Sequence, residues 1–187
     1  MRAPILATAL AVLAAPAFAQ AASAQGLSVT TPAFKDGGTV PMAQVCERYH
    51  GGSHSPALSW SGEPAGTKSF AITMYDPDAP TGSGFWHWTV FNIPANVHRL
   101  PAGAGDAGST LLPAGAGQGR NDGGVSHYSG PCPPAGDPAH HYQITVFAVK
   151  VPKLPVDAES SGARVGFNLH FNTLAKGQVT GLYGQPK

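Results

Sequence analysis

Two clusters of polar side chains in the sequence could bind or transform a small molecule. The first is the segment Asp76-Pro77-Asp78-Ala79-Pro80 with His87 shortly after it, and the second consists of His140 and Tyr142, which follow the proline-rich segment 130–134. Asp76 directly precedes a proline, which restricts its backbone to extended geometry. Its carboxylate is therefore expected to leave the end of the preceding strand in a fixed direction, as a binding site requires.

Three kinds of chemistry could use these groups. In a small anion pocket, histidine, the tyrosine hydroxyl and backbone N–H groups hold a phosphate or carboxylate, while an aspartate fixes the histidine tautomer or meets a cationic head group. A zinc or copper site needs convergent ligands, but no H-x-H, H-E-x-x-H or paired-cysteine spacing is present. A hydrolase needs an activated nucleophile, and no G-x-S-x-G motif occurs. The anion pocket fits this set of residues best.

Six further residues are expected at the rim of the site or in a layer behind it: Asp78, Trp86, Trp88, Arg120, Tyr128 and Pro133. An aspartate between a strand and a turn commonly bonds to its own backbone, and this interpretation is preferred for Asp78 over contact with a ligand. Trp86 and Trp88 fit core or rim packing better than a cofactor site. The remaining histidines have no identifiable partner and are interpreted as surface or loop residues: His50, His54, His98, His127 and His170.

The elements that must position these groups are strands. Residues 70–75 form an uninterrupted apolar run with β-branched and aromatic side chains, which predicts a strand buried on both faces. Strands are also predicted over 87–93 and 140–149. Because side chains alternate along a strand, His140 and Tyr142 should share one face and His141 should point to the other.

A single late helix is predicted over 162–176, with Gly177 as its C-terminal cap. Four apolar residues would face the core at helical spacing: Val165, Leu169, Phe171 and Leu174. Elsewhere, short strands separated by Gly- and Pro-rich turns predict a mainly β sandwich with a few short helical turns.

A long Gly-, Ala- and Pro-rich passage covers 102–138. Loops of this length inside a compact domain are uncommon and are usually functional or disordered. Its arginine, aromatic residues and the stiff segment Gly130-Pro131-Cys132-Pro133-Pro134 favour a functional loop. It could form a wall of the pocket, or it could bind and inhibit a protease or another enzyme.

The N-terminus has the features of a secretory signal peptide. A charged start is followed by an apolar run and then by Ala17-Phe18-Ala19 or Ala22-Ser23-Ala24, which are both small-x-small cleavage sites. The signal peptide is predicted over 1–19 or 1–24, and a single domain over 25–187. No later stretch approaches the ~20 apolar residues that a membrane span requires. A periplasmic or secreted location is therefore expected.

The charge of the chain limits the kinds of partner that it could bind, and its cysteine content limits the disulfides that it could form. The formal net charge is +1 and the sequence contains no basic cluster, so it offers no electrostatic reason to bind nucleic acid or an anionic membrane. Cys46 and Cys132 are the only cysteines. In an oxidising compartment they could form one disulfide, or each could stay a free thiol.

Several motifs together carry a family resemblance: Asp76-Pro77-Asp78-Ala79-Pro80, His87-Trp88, Asn92-Ile93-Pro94, Gly130-Pro131-Cys132-Pro133-Pro134 and His140-His141-Tyr142. On these motifs the chain resembles the phosphatidylethanolamine-binding protein family. It is more similar to the bacterial Raf kinase inhibitor-like branch of YbhB/YbcL type, whose exported members share the S-P-A-L-S-W and G-R-N-D segments found here.

The resemblance implies a sandwich around a large central sheet, with a pocket for phosphate-like or carboxylate anions and phosphoethanolamine-type head groups. It implies that the pocket is lined by five residues: Asp76, His87, Pro134, His140 and Tyr142. His141 stands where the family usually has arginine. The expected function is therefore that of an exported, non-enzymatic small-ligand-binding protein with no cofactor, catalytic residue or metal. The first alternative function is inhibition of a protease or another enzyme through the 102–138 loop. The second is that of a metal-dependent hydrolase.

Overall fold

A computed structural model describes residues 26–187 of the chain, so the predicted signal peptide lies outside the described residues. Nine strands and one α-helix follow in chain order: β1 (Ser28–Thr30), β2 (Gly38–Thr39), β3 (Leu58–Ser61), β4 (Ser69–Asp76), β5 (Phe85–Pro94), β6 (Arg99–Leu100), β7 (Gly117–Gln118), β8 (His140–Val149), α1 (Gly162–Asn172) and β9 (Thr173–Tyr183). One 3₁₀ turn covers Glu47–Tyr49. Within the described part of the chain, no helix combines the length and apolar character that crossing a bilayer needs.

The centre of the molecule is a six-stranded sheet in the order β2-β9-β8-β4-β5-β7. Its long strands pair antiparallel, and only β2 runs parallel to its neighbour β9. β4 lies in the middle and is buried along almost its whole length, as its continuous apolar run predicts.

The two faces of this sheet are covered differently. A three-stranded sheet in the order β1-β3-β6 lies over one face, where Trp60, Phe70 and Met74 belong to the main hydrophobic core. α1 lies over the other face, where Val165 and Leu169 pack in a second, smaller core. The mainly β sandwich with one late helix is thus confirmed.

The helix ends four residues earlier than predicted. Ser161 caps its start by accepting a hydrogen bond from the Arg164 N–H, and Thr173 already has extended backbone geometry. The chain enters β9 immediately, because Thr173, the first residue of β9, pairs with Val149 at the end of β8. The predicted cap at Gly177 is therefore wrong, since this glycine lies within β9. Phe171 and Leu174 are also not core residues but lie exposed.

The 102–138 passage is a loop as predicted, interrupted only by the short strand β7. It is anchored in the core rather than projecting from it. Ala104 and Tyr128 belong to the main hydrophobic cluster, and the Tyr128 hydroxyl donates to the Gln44 carbonyl at 3.0 Å. Asn121 is buried as well, and its side chain donates to the carbonyl of His127.

The start of α1 depends on a close approach to the sheet. A Cβ added to Gly162 would lie 2.3 Å from Cγ of Trp86, whereas one added to Gly166 would be no closer than 3.7 Å to that ring. Gly162→Ala should therefore lower the free energy of unfolding by about 1–3 kcal/mol through overpacking. Thermal unfolding measures the change. Gly166→Ala is the control and should leave the protein equally or slightly more stable, because alanine favours the helix. Equal effects of the two substitutions would contradict this packing.

Candidate functional site

A β-bulge in β5 decides where His87 points. Met74 pairs with Trp88, but the next residue of β4, Tyr75, pairs with Trp86, so β5 contains one extra residue at this point. Bulges of this kind place two successive side chains on the same face. His87 and Trp88 consequently both lie on the face that carries the main core.

Asp76 is the last residue of β4 and lies on this same face with only 2% of its surface exposed. Its Oδ1 accepts hydrogen bonds from the backbone N–H groups of Asp78, at 2.9 Å, and Ala79, at 3.1 Å. Its Oδ2 accepts from Nδ1 of His140 at 2.8 Å. The turn-forming aspartate is thus Asp76 itself, and the same carboxylate also holds a histidine.

His140 and His87 are both oriented through Nδ1. In His140, Nδ1 must carry the proton because its partner is the Asp76 carboxylate. In His87, Nδ1 donates to the backbone carbonyl of Ser129 at 3.0 Å. Each neutral ring therefore has its proton on Nδ1, which leaves Nε2 free. Nε2 of His87 lies 3.9 Å from Oδ2 of Asp76, which is too far for a hydrogen bond, and it attracts this carboxylate only when it is protonated.

These contacts keep Asp76 ionised. Burial on its own would raise the pKa of the carboxyl group, but His87, His140 and the Asp78 amide together lower the pKa below its ordinary value. The site therefore contains a buried negative charge flanked by two imidazole rings.

A cavity of about 500 Å³ opens above this group. Its lining combines the predicted cluster with residues from the 102–138 loop and from the 3₁₀ turn. Six predicted residues line it: Asp76, His87, Tyr128, Pro133, Pro134 and His140. No lysine or arginine of residues 26–187 lines it, so the positive charge that these residues bring to the site comes from histidine alone.

Tyr142 lies behind the cavity lining. Its ring contacts His87 edge-on at 5.2 Å and stacks on His140 at 6.4 Å, so it supports both histidines from below. Its hydroxyl is buried and has no hydrogen-bond partner among residues 26–187. Burial, and then the nearby Asp76 charge, raise the pKa of Tyr142 well above its ordinary value.

The proline segment forms one wall of the cavity and is cross-linked to the 3₁₀ turn opposite it. Cys46 and Cys132, both of which line the cavity, are joined by a disulfide, so the structure decides a pairing that the sequence left open. The Tyr49 hydroxyl donates to the Pro133 carbonyl at 2.6 Å, and the Cys46 N–H donates to the Pro131 carbonyl at 3.1 Å. This wall is not part of either sheet, so these three links hold it in place.

Four of the residues expected at the rim or behind it do not line the cavity. Trp86 precedes the bulge and alternates with His87 in the usual way, so it points to the opposite face and lies beneath α1. Arg120 also lies away from the cavity, half exposed and 3.8 Å from Glu159. Trp88 is a core residue that packs edge-on against Tyr128.

Asp78 is the fourth of these residues, and its side chain does not form the turn after β4. Its Oδ2 accepts hydrogen bonds from the backbone N–H and Nδ1 of His141. His141 is half exposed and points away from the cavity, which confirms the face predicted for it.

Several cavity residues were missed by sequence reasoning. His127 lines the cavity although it was interpreted as a loop residue, and Glu47, Ser53 and Phe85 line it too. They belong to loops, turns and a strand end, where side-chain direction has no period that a sequence pattern could reveal. Two other histidines do have partners: His54 bonds to Asp106 at 2.6 Å and His98 to Glu63 at 2.8 Å.

Comparison with known proteins gives a consistent match along the described chain. The family model described as "Phosphatidylethanolamine-binding protein" matches residues 30–184. YbcL of Escherichia coli strain K12 is 52% identical over 164 residues, which cover 87% of this chain and 90% of YbcL. YbhB of the same organism is 46% identical over 152 residues, covering 80% of this chain and 95% of YbhB.

Solved structures agree with the sequence matches. The crystal structure of E. coli YbcL, described as a member of the mammalian PEBP family, superposes with a TM-score of 0.83 and covers 86% of this chain and 99% of that one. The structure of CT736 from Chlamydia trachomatis, described as a homologue of these proteins, is 27% identical. It superposes with a TM-score of 0.72 over 86% of this chain and 98% of its own.

The lowered pKa of Asp76 predicts a pH-dependent contribution to stability. A carboxylate whose pKa is depressed by folding stabilises the native state above its unfolded pKa, and this stabilisation is lost as pH falls through the folded value. Asp76→Asn should therefore cost about 1–3 kcal/mol at pH 7, and the difference from the wild type should shrink below about pH 3. Denaturant unfolding at several pH values measures this difference in the free energy of unfolding.

The matched control is Asp78→Asn, since that carboxylate is 40% exposed and should contribute under about 1 kcal/mol at any pH. A cost for Asp76→Asn that stayed constant from pH 7 to pH 2.5 would show that the charge of Asp76 contributes no stability.

Proposed function

The chain belongs to the phosphatidylethanolamine-binding protein family, and from this premise we propose that it is a non-enzymatic binding protein whose cavity holds a phosphate or carboxylate group. The observation that carries the proposal is the arrangement of the two histidines. Both use Nδ1 for internal hydrogen bonds, and neither Nε2 makes a hydrogen bond within residues 26–187; Oδ2 of Asp137 lies 3.7 Å from Nε2 of His140. Protonation converts each Nε2 into a charged donor for an anion.

Anion binding at this site should be coupled to proton binding. The buried Asp76 carboxylate would repel a phosphate, and the described lining of the cavity contains no lysine or arginine to offset it. An imidazolium at His87 or His140 supplies the missing positive charge. The anion and the proton therefore stabilise each other in the site.

A phosphoethanolamine-type head group suits the remainder of the lining. Glu47 offers a carboxylate to an ammonium group, while Phe85 and Pro134 offer apolar surface to the carbons between the two charges. A ligand with so few atoms binds weakly, with an affinity of about millimolar order.

The hydrogen bonds around the histidines support binding rather than nucleophilic catalysis. In the described part of the chain, no serine, threonine or cysteine side chain is hydrogen-bonded to His87 or His140. Likewise, no group of three or more His, Cys, Asp or Glu residues between 26 and 187 has the geometry to hold a metal ion. The metal-dependent hydrolase therefore receives no support from the side-chain geometry.

The inhibitor alternative is less well supported than the pocket. The 102–138 loop contributes Tyr128 and the proline segment to the cavity wall, and its anchors lie in the core. Removing the loop would expose that core, so its deletion cannot leave the fold intact. Its large exposed apolar residue is Leu111, which is a narrow basis for binding a partner enzyme.

Export is part of the proposal. It is supported by the secretory pattern of the first residues and by the disulfide between Cys46 and Cys132, since such bonds persist in oxidising compartments. The mass of protein recovered from the periplasm or medium should correspond to a start at Gln20 or Gln25 with both cysteines oxidised. Recovery of the full-length chain from the cytosol would contradict export.

Phosphate titration followed by NMR of the histidine rings tests the cavity. Inorganic phosphate and phosphoethanolamine at millimolar concentration should shift the ring signals of His87 and His140. Apparent affinity should rise as pH falls from about 8 to about 6, because the bound anion favours the imidazolium. If both rings stay unchanged, the anion site does not exist.

His87→Gln should weaken phosphate binding about tenfold through loss of a charge-assisted donor. The control is His98→Gln, which removes a histidine paired with Glu63 outside the cavity and should leave the affinity unchanged. The shift of the His140 ring reports binding in both variants.

A further inference from the structure

The outward face of α1 carries large apolar side chains. Val165 and Leu169 face the sheet, whereas Phe167 and Phe171, one helical turn apart, lie on the opposite side and are 66% and 57% exposed. Their rings contact each other edge-on at 5.1 Å. Leu174, three residues after Phe171 at the start of β9, is 41% exposed, and these three side chains are called the patch. A helix that lies on a sheet normally presents polar residues to water, so an apolar patch here indicates an interaction surface.

Three lysines lie on the segments beside this end of the helix. The Lys150 N–H donates to the Asn172 carbonyl, and the Lys68 N–H donates to the carbonyl of the residue before Lys150. Lys176 lies two residues after Leu174 on β9 and lines a shallow cavity with Leu169 and His170 of the helix. All three side chains are exposed, and none forms an ion pair with a carboxylate of residues 26–187.

The carboxylates of the segments next to the helix already have partners, and Glu63, in the turn near Leu174, bonds to His98 at 2.8 Å. α1 contains no acidic residue, and its own charged or titratable side chains are Arg164 and His170. Asp157 and Glu159 precede the helix, where Asp157 accepts from the Ser160 hydroxyl and Glu159 lies 3.8 Å from Arg120. The three lysines on the segments near Phe167, Phe171 and Leu174 therefore have no carboxylate partner among residues 26–187.

We propose that this surface docks the protein on an anionic phospholipid bilayer. The two phenylalanines and Leu174 enter the head-group region with their apolar ends, and Lys68, Lys150 and Lys176 contact lipid phosphates. Aromatic and leucine side chains beside lysines are the combination that binds membrane interfaces, where burial of apolar area and attraction to anionic lipid add together.

A second copy of the chain fits this surface poorly. At their observed exposures the three apolar side chains present about 300 Å², whereas a stable interface buries about 800 Å² on each partner. A symmetric dimer would also bring the two sets of lysines together, and like charges repel. A lipid surface of opposite charge has neither difficulty.

Flotation with vesicles tests the proposal. The purified protein should bind vesicles in which about a third of the phosphatidylcholine is replaced by phosphatidylglycerol, and it should bind pure phosphatidylcholine far less. Phe167→Ser/Phe171→Ser should reduce this binding about tenfold or more. Lys68→Glu/Lys150→Glu should reduce it as well and weaken its dependence on salt.

Two control variants distinguish this surface from the rest of the protein. Leu111→Ser removes an equally exposed apolar side chain from a different region and should leave vesicle binding unchanged. His87→Gln alters the cavity and should leave it unchanged too, so vesicle binding is judged independently of the proposed ligand. Unchanged thermal unfolding shows that each variant is folded.

Three results would overturn the inference. The first is failure of the wild type to bind phosphatidylglycerol vesicles, and the second is binding by the double phenylalanine variant that equals that of the wild type. The third is a dimer in size-exclusion chromatography that the double phenylalanine variant converts to a monomer, because it would assign the patch to a protein interface.

Discussion

A buried carboxylate is the constraint on which the site is built. Asp76 lies at the end of a central strand with almost no access to water, and an unpaired charge there would be strongly destabilising. It is stable because His140 and the amides of Asp78 and Ala79 donate to it. The same three bonds fix the turn after β4 and the orientation of His140. One ionised group thus joins the strand, the turn and the neighbouring strand.

The cavity wall illustrates a different way of positioning functional residues. The proline segment has no strand partner, so its backbone is not held by a ladder of hydrogen bonds. Prolines restrict its conformation, and the disulfide to Cys46 together with the Tyr49 hydroxyl fixes its distance from the 3₁₀ turn. A wall held in this way needs little ordering when a ligand binds, which reduces the entropic cost of binding.

The two faces of the large sheet serve separate purposes, and neighbouring residues of β5 reach both of them. Trp86 lies under α1 and supports the helix that carries the exposed phenylalanines, whereas His87 lies beside the cavity. The bulge separates Trp86 from Trp88, because an unbroken alternation would keep these two side chains together on one face. A single extra residue in β5 therefore lets Trp86 support the helix while His87 and Trp88 both lie on the face of the main core.

Features that depend on local order could be predicted from the sequence. The apolar run of β4 identified a doubly buried strand, and alternation placed His140 and Tyr142 on one face, because both patterns follow from strand geometry. Features that join distant segments could not be predicted. The bulge at His87, the entry of His127 into the cavity and the end of α1 at Asn172 depend on strand register and on loops from elsewhere in the chain.

The sequence shows no basic cluster, yet Lys68 and Lys150 lie beside the end of the helix, because backbone hydrogen bonds join their segments to each other and to Asn172. The chain by itself determined which strands form and which chemical groups are present, since these follow from neighbouring residues. Only the tertiary structure decided which of those groups meet, because pairing between remote strands has no local signature.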